Sequence, residues 1–165
     1  MASDIFIKID GIDGQSNDKG HSKWIEVLSF SLGSVQPIVA GRATDTAGRG
    51  TFEPFIFIHE LDKASPKIQL FCMNGQKIPK VQFQVCRAVA GTQVVVYEVT
   101  MENVKIGRAF IHADPVSQTE IQSPALPMET VELVAGKITW KYTAIKPDNT
   151  KDGAVEASFN QIENC

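Results

Sequence analysis

Residues 4–10 read DIFIKID, a run in which apolar and charged side chains largely alternate. Isoleucine occupies the odd positions, and Asp or Lys occupies most of the even ones. A period of two is typical of a β-strand that buries one face. Phe6 interrupts the charged face, which indicates an apolar contact where water is otherwise expected. The stretch therefore predicts a strand with a second buried surface.

The same period of two recurs along the rest of the chain. In the segment 24–32 the even-numbered side chains are expected to turn inward, which leaves Ser29 and Ser31 on the other face. Together with residues 5–9, this makes about eight predicted strands: 24–32, 52–58, 81–85, 95–101, 103–112, 130–134 and 138–142.

One short helix is predicted near residues 66–74. Ser65 suits an N-cap, Pro66 suits the first helical position, and Gly75 suits the left-handed residue that ends a helix. Eight strands and one helix predict a mainly β, α+β fold, either a closed β-barrel or two packed sheets. The chain shows no linker, so a single domain over 1–165 is expected, and its polar tail 146–165 is expected either to stay flexible or to dock.

Composition narrows the classes of function. The 165 residues carry 19 acidic and 16 basic side chains, a formal net charge of −3, without a block of like charge. Nucleic acids and anionic membranes both select for concentrated Lys and Arg, so neither is an expected partner. The N-terminus lacks the basic start and apolar run of a signal peptide, and no stretch approaches ~20 apolar residues. Membrane insertion is therefore not expected.

Catalytic and metal-binding patterns are not found. His21, His59 and His112 do not stand in zinc spacings or beside a nucleophile motif, and phosphate-binding glycine motifs do not occur. His21 is interpreted as a surface histidine. The three cysteines are odd in number and widely spaced, which favours reduced thiols. No enzyme activity, cofactor or metal is predicted.

Several motifs resemble, in order, those of the hemolysin-coregulated protein (Hcp) family. The opening residues resemble that family's first two strands, and DKASP at 62–66 resembles the motif before its single helix. The full set is 5–12 (IFIKIDGI), His21, 24–31 (WIEVLSFS), 62–66 (DKASP), 97–98 (YE), 101–104 (MENV) and the strand 138–142.

The resemblance implies a structural subunit of the type VI secretion inner tube. Members of the family form six-membered rings that stack into a hollow conduit and carry effector proteins in the lumen. The implied partners are further copies of the chain, a VgrG-type spike, contractile sheath proteins and effectors. The chain is then expected to be made in the bacterial cytoplasm and exported without a signal peptide.

Three groups of residues are assigned on this basis. Ser29 and Ser31 are expected to face the lumen and contact effectors, because small polar side chains suit a weakly adhesive wall. Apolar side chains on strand faces that should contact water are expected at the subunit interface. They are Phe6, Val94 and Val96. Within the glycine-containing loop 36–50, residues 41–50 are expected to join stacked rings, with Arg42 or Arg49 pairing with carboxylates of the next ring. The positions assigned to stacking are Gly41, Arg42, Asp45, Gly48, Arg49 and Gly50.

Two other readings remain open at this point. A phage tail-tube-like structural protein has a similar composition, although the motif 62–66 favours the secretion family. A small-ligand carrier is a less favoured alternative, and it requires a stable monomer with a sizeable cavity inside the barrel.

Overall fold

The computed structural model describes residues 3–38, 48–113 and 126–165. It contains ten β-strands and one α-helix in these ranges. They are β1 Ser3–Ile9, β2 Ile25–Glu26, β3 Ser29–Ser31, β4 Ser34–Val35, β5 Thr51–Phe52, β6 Phe55–Glu60, α1 Ser65–Asn74, β7 Ile78–Val89, β8 Thr92–His112, β9 Met128–Ile145 and β10 Lys151–Asn160. The mainly β fold with one helix, predicted from the sequence, is confirmed.

Eight of the strands form one curled antiparallel sheet. Its order is β2-β1-β7-β8-β9-β6-β3, and β10 pairs with β9 beside this path. β4 and β5 form a separate two-stranded hairpin. On one side, β9 pairs with β8 along most of its length. On its other side, β9 pairs first with β6 and then with β10, so the sheet divides at the middle of β9.

The two ends of this strand order are neighbours in the sequence. The amide of Val27 donates to the carbonyl of Ile5 in β1 at 2.9 Å, and the amide of Leu28 donates to the carbonyl of Ile58 in β6 at 2.8 Å. The segment 25–31 thus leaves one edge of the sheet and joins the other. This crossing curls the sheet into a barrel.

The crossing also corrects the single strand predicted over 24–32. The segment is divided into β2 and β3, and the buried side chains change parity between them. Ile25 and Val27 are buried in the first half, at odd positions, whereas Phe30 turns toward the core in the second half. The alternation is broken because the chain changes its partner strand between Val27 and Leu28.

The barrel interior is filled with large side chains. Fully buried members of the core include Phe55, Phe57, Phe83, Ile7, Ile68, Met101 and Leu133. Interiors packed at this level leave few voids larger than a water molecule. The interior cavity that a small-ligand carrier requires is therefore not supported.

The helix lies where the sequence placed it, with one change at its start. It begins at Ser65, so Ala64 and not Ser65 occupies the N-cap position. The Ser65 hydroxyl instead accepts a hydrogen bond from the Asp62 amide at 3.2 Å. Gly75 adopts φ 64°, the left-handed conformation that commonly ends helices. This helix, the only one in the described residues, is too short to cross a membrane.

The C-terminal tail, expected either to stay flexible or to dock, forms a strand that pairs with β9. β10 pairs with β9 from Lys151 opposite Ile145 to Asn160 opposite Lys137. Phe159 packs edge-on against Phe52 at a ring separation of 5.9 Å. Likewise, the segments predicted separately at 95–101 and 103–112 form one continuous strand, β8.

Burial predicts unequal costs for two leucine truncations. Leu133 is 1% exposed in the barrel core, whereas Leu70 is 56% exposed on the helix. Leu133→Ala is expected to lower the free energy of unfolding by about 2–5 kcal/mol, and Leu70→Ala by less than about 1 kcal/mol. Urea unfolding of the two variants measures the difference, and equal losses would contradict the assigned core.

Candidate assembly surfaces

Among the described residues, one half of the barrel has two edges without a paired strand. This four-strand half consists of β3, β6, residues 128–135 of β9 and residues 104–112 of β8. In the described part of the chain, β3 pairs with β6 alone, and β8 beyond Val104 pairs with β9 alone. Unpaired edges present rows of N–H and C=O groups that accept another strand. The half can therefore be extended on both sides.

Ser29 and Ser31 lie on the outer face of this half. Both are exposed, and Phe30 between them turns toward the core, with its ring 4.6 Å from that of Phe83. Ser29 begins a row that continues through Ile58, Thr130 and Phe110 on the neighbouring strands. The two serines are thus brought together on one surface, as the alternation predicts.

The next row on this face combines polar, apolar and charged side chains. It runs across four neighbouring strands, in the order Ser31, Ile56, Glu132 and Arg108, each paired with the next. The Arg108 guanidinium is 3.9 Å from the Glu132 carboxylate and 5.4 Å from the centre of the Phe110 ring. The face is therefore polar near β3 and aromatic and charged near β8.

The sheet face that packs into the core continues past the end of the barrel, where it forms a second exposed surface. Val85, Tyr97, Tyr142 and Val155 lie side by side on four successive strands, and we call this row the apolar stripe. Burial raises the pKa of the Tyr97 hydroxyl. Toward β10 the stripe is uncovered, since Tyr142 is 55% and Val155 77% exposed. Contiguous exposed apolar side chains commonly mark contact surfaces.

Simple alternation would put the predicted interface residues Val94 and Val96 on the face of Glu98. Both lie near the apolar stripe, and a slip in the pairing separates Val94 from that face. The pairing of β7 with β8 slips between Val85 and Cys86, and Val95 becomes the partner of Cys86. The face of Glu98 consequently continues to Val95. Both predicted valines are half-buried, and the slip could not be read from the alternation.

Phe6 is covered by its own chain, so its assignment to a subunit interface is corrected. Its side chain is 4% exposed and stacks on the His21 ring at a centroid distance of 4.1 Å. The loop 11–24 folds back over β1 and supplies this cover. His21 is therefore buried, contrary to its interpretation as a surface histidine.

His21 also lies in a constellation that could suggest catalysis. Its Nδ1 donates to Asp18 at 2.8 Å, and Cys86 Sγ lies 3.8 Å from its Nε2. Nucleophilic cysteines are accessible and have a lowered pKa. Burial instead raises the pKa of the Cys86 thiol to about 11, and Gln84 Oε1 lies closer to Nε2, at 2.7 Å. The cluster holds the loop against the sheet.

A second buried histidine connects strands with the helix. His59 Nε2 lies 2.8 Å from Glu129 Oε1, and Gln69 donates to the other carboxylate oxygen at 2.8 Å. Asp62 Oδ2 lies 3.8 Å from His59 Nδ1, and burial raises the pKa of this carboxyl. Among the described residues, no group of three or more His, Cys, Asp or Glu could hold a metal ion.

Only part of the predicted stacking loop can be located. Gly41, Arg42 and Asp45 lie outside the described residues. The Gly48 amide donates to the Pro37 carbonyl at 3.1 Å, which closes the base of the loop.

Arg49, at this base, is already engaged in its own chain. It donates to the backbone carbonyl of Gln161 and, at 3.3 Å, to that of Ile162. This contact anchors the loop base to the C-terminus. The proposed pairing of Arg49 with carboxylates of another ring is therefore not favoured.

Two open clefts of opposite charge lie at different ends of the four-strand half. The acidic cleft, of about 340 Å³, includes Glu26, Leu28, Glu60, Asp62 and Leu126 among its lining residues. The basic cleft, of about 450 Å³, includes Lys77, Lys105, Val134 and Ile162. Sequence reasoning missed both, because their members come together only through strand register.

The buried histidine cluster gives a test of its structural role. Glu129→Ala removes the partner of both His59 and Gln69, so it is expected to lower the free energy of unfolding by roughly 3–5 kcal/mol. Glu132→Ala, on the outer face of the same strand, is expected to cost less than about 1 kcal/mol. Thermal and urea unfolding compare the two. A loss for Glu129→Ala no larger than the control's would contradict the role.

Comparisons with known proteins agree on one family. The family described as "Type VI secretion system effector, Hcp" matches residues 6–142. Protein hcp1 of Pseudomonas aeruginosa is 28% identical over 166 residues, which cover 99% of this chain and 98% of that protein.

Solved structures share the fold over the same extent. A crystal structure of Hcp1 from Salmonella typhimurium is 26% identical, covers 99% of this chain and 98% of its own, and superposes with a TM-score of 0.78. A structure described as that of a type six secretion system protein superposes with a TM-score of 0.89 at 23% identity, with 99% of each chain covered. With the family match extending from β1 into β9, this chain belongs to the Hcp family of type VI secretion proteins.

Proposed function

We propose that the chain is a structural subunit of a type VI secretion inner tube, in which copies close into a six-membered ring and rings stack around a lumen. The observation that carries the proposal is the pair of free edges on the four-strand half. Family membership supplies the secretion context, and the edges supply a physical route to a ring.

The two free edges are suited to each other. Successive strands of the half run antiparallel, so β3 and the free part of β8 point in opposite directions. β3 of one copy can therefore pair antiparallel with β8 of the next. Such a contact joins different patches on the two copies, and this heterologous type of interface generates rings when the rotation closes.

The size of such a ring follows from strand spacing. Six copies would contribute about 24 strands, at ~4.8 Å each, to one continuous cylinder. Its backbone diameter is then roughly 35–50 Å, depending on how far the strands tilt. Side chains narrow the lumen inside this backbone cylinder, and the remaining space admits a small folded protein.

Within this arrangement, the outer face of the half lines the lumen. Core side chains occupy the other face, so Ser29, Ser31 and their rows point to the ring axis. The chain's work is then mechanical transport of effectors and requires no chemistry of its own. Spike and sheath proteins would act on the ends and the outside of the tube.

The apolar stripe adds a second contact between neighbours. Val155 and Tyr142 are uncovered in the single chain, although they continue its core face. Covering them would remove apolar surface from water, at about 25 cal/mol for each Å². The stripe is our candidate for the part of the interface that Phe6 was expected to supply.

A charge on the stripe should disrupt rings without unfolding the chain. Val155→Asp is expected to reduce the fraction of rings at least about tenfold at a given concentration, since burying an unpaired carboxylate is costly. Met73→Asp is the matched control, because Met73 is 84% exposed on the helix, away from the stripe. Light scattering after size exclusion measures ring mass, and an unchanged Val155→Asp ring would contradict this interface.

The lumen assignment is tested by labelling. Ser31→Cys, in a chain with Cys72 and Cys165 changed to serine, is expected to place a gold–maleimide label in the central hole of the ring. Met73→Cys, in the same background, is expected to place the label elsewhere. Negative-stain electron microscopy distinguishes the positions, and a label on the outside of Ser31→Cys rings would refute the assignment.

A further inference from the structure

We infer that successive rings are joined by the acidic cleft of one copy and the basic cleft of a copy in the next ring. This inference rests on the proposed function, because it uses the ring geometry derived from the free edges. It assigns a partner, a second copy of this chain, to two surfaces that the family match does not identify.

The clefts lie at opposite ends of the four-strand half, and the basic cleft lies where the sheet divides at the middle of β9. The acidic cleft is formed where β6 ends at Glu60 and β9 is about to begin, next to Leu126. The basic cleft is formed around Val134 of β9 and Lys105 of β8, which are direct cross-strand partners. Six strand steps from Met128 to Val134 separate the two sites by roughly 20 Å.

Ring closure turns these two ends into the two faces of the ring. Strands that pair sideways around a circle must run along its axis, apart from the tilt common to barrels. One face of the ring then presents the acidic cleft, and the opposite face presents the basic cleft. Rings that stack in the same orientation would bring unlike clefts together.

The exposed charged side chains that line the two clefts are opposite in sign. Glu26 and Glu60 are exposed in the first, and Lys77 and Lys105 are exposed in the second. Outside the clefts, other exposed charges flank them, such as Lys63 beside the acidic cleft and Glu163 beside the basic one.

Each cleft also presents uncovered apolar side chains. Leu28 and Leu126 are each 54% exposed in the acidic cleft, and Val134 and Ile162 are 53% and 64% exposed in the basic cleft. An interface between them would combine opposite charge with apolar burial on both sides. Each chain carries both clefts, so the contact repeats from ring to ring without closing. It therefore gives an open-ended tube of fixed polarity.

The base of the glycine-containing loop adjoins the basic cleft. Arg49 contacts the carbonyl of Ile162, whose side chain lines this cleft. Arg49, one of the positions expected to join rings, therefore lies beside the basic cleft.

Charge reversal tests the inference on intact rings. Glu60→Lys and Lys105→Glu each place like charges across the joint at all six positions of a ring. The small effects of single exposed pairs add over these positions, so each variant is expected to raise the concentration for half-maximal tube formation at least about tenfold in 50 mM NaCl. The double variant restores opposite charges across the joint and is expected to recover stacking to within about threefold of the original chain. In 500 mM NaCl the differences are expected to shrink, since the Debye length falls to a few ångströms.

Controls separate this inference from the proposed function. Glu156→Lys and Lys80→Glu make the same changes of net charge at exposed sites outside both clefts, and they should stack normally. Light scattering and electron microscopy report ring mass and tube length separately. Rings that stay intact and stack equally well in both single variants, or a double variant without recovery, would overturn the inference. Purified chain that never forms rings would instead overturn the proposed function.

Discussion

The structure depends on a switch of hydrogen-bond partners between two consecutive residues. Val27 donates to β1 and Leu28 donates to β6, so a single segment ties together two edges of a long antiparallel sheet. This crossing curls the sheet and shields one side of the core. It also ends as β3, a short strand whose outer edge has no partner in the described chain. The segment that closes the barrel of one chain thus ends in an unpaired edge, with which a neighbouring copy can pair.

A second constraint is the division of the sheet at the middle of β9. The first part of β9 belongs to the four-strand half, and its last part pairs with β10 and carries the apolar stripe. The two candidate contacts between neighbours, strand edges and apolar stripe, therefore lie on one continuous sheet. Edge pairing alone is only weakly selective, because backbone groups are alike in every strand. The stripe and the charged clefts add the side-chain specificity.

Much of the fold follows from local sequence. The alternation in residues 4–10 predicts β1, and Pro66 with Gly75 predicts the helix to within one residue at its start. These signals are local, because strand period and helix caps depend on neighbours in the chain. The sequence also placed Ser29 and Ser31 on one exposed face, and this holds because the crossing lies before them.

The remainder was set by contacts distant in sequence. Phe6 breaks an alternating pattern, and nothing nearby shows that His21 covers it after the loop folds back. The face of Val94 differs from simple alternation because the slip near Val85 is a property of two strands together. The tail after residue 146 looked polar because β10 packs one edge on β9 and leaves most of its side chains in water.

Cryo-electron microscopy of the assembled protein, at a resolution that separates strands, tests the central claim most directly. The account predicts one continuous β-cylinder around the lumen, in which β3 of each copy lies antiparallel beside residues 105–112 of β8 in its neighbour. A ring in which these two edges face solvent, or are covered by something other than each other, would contradict it.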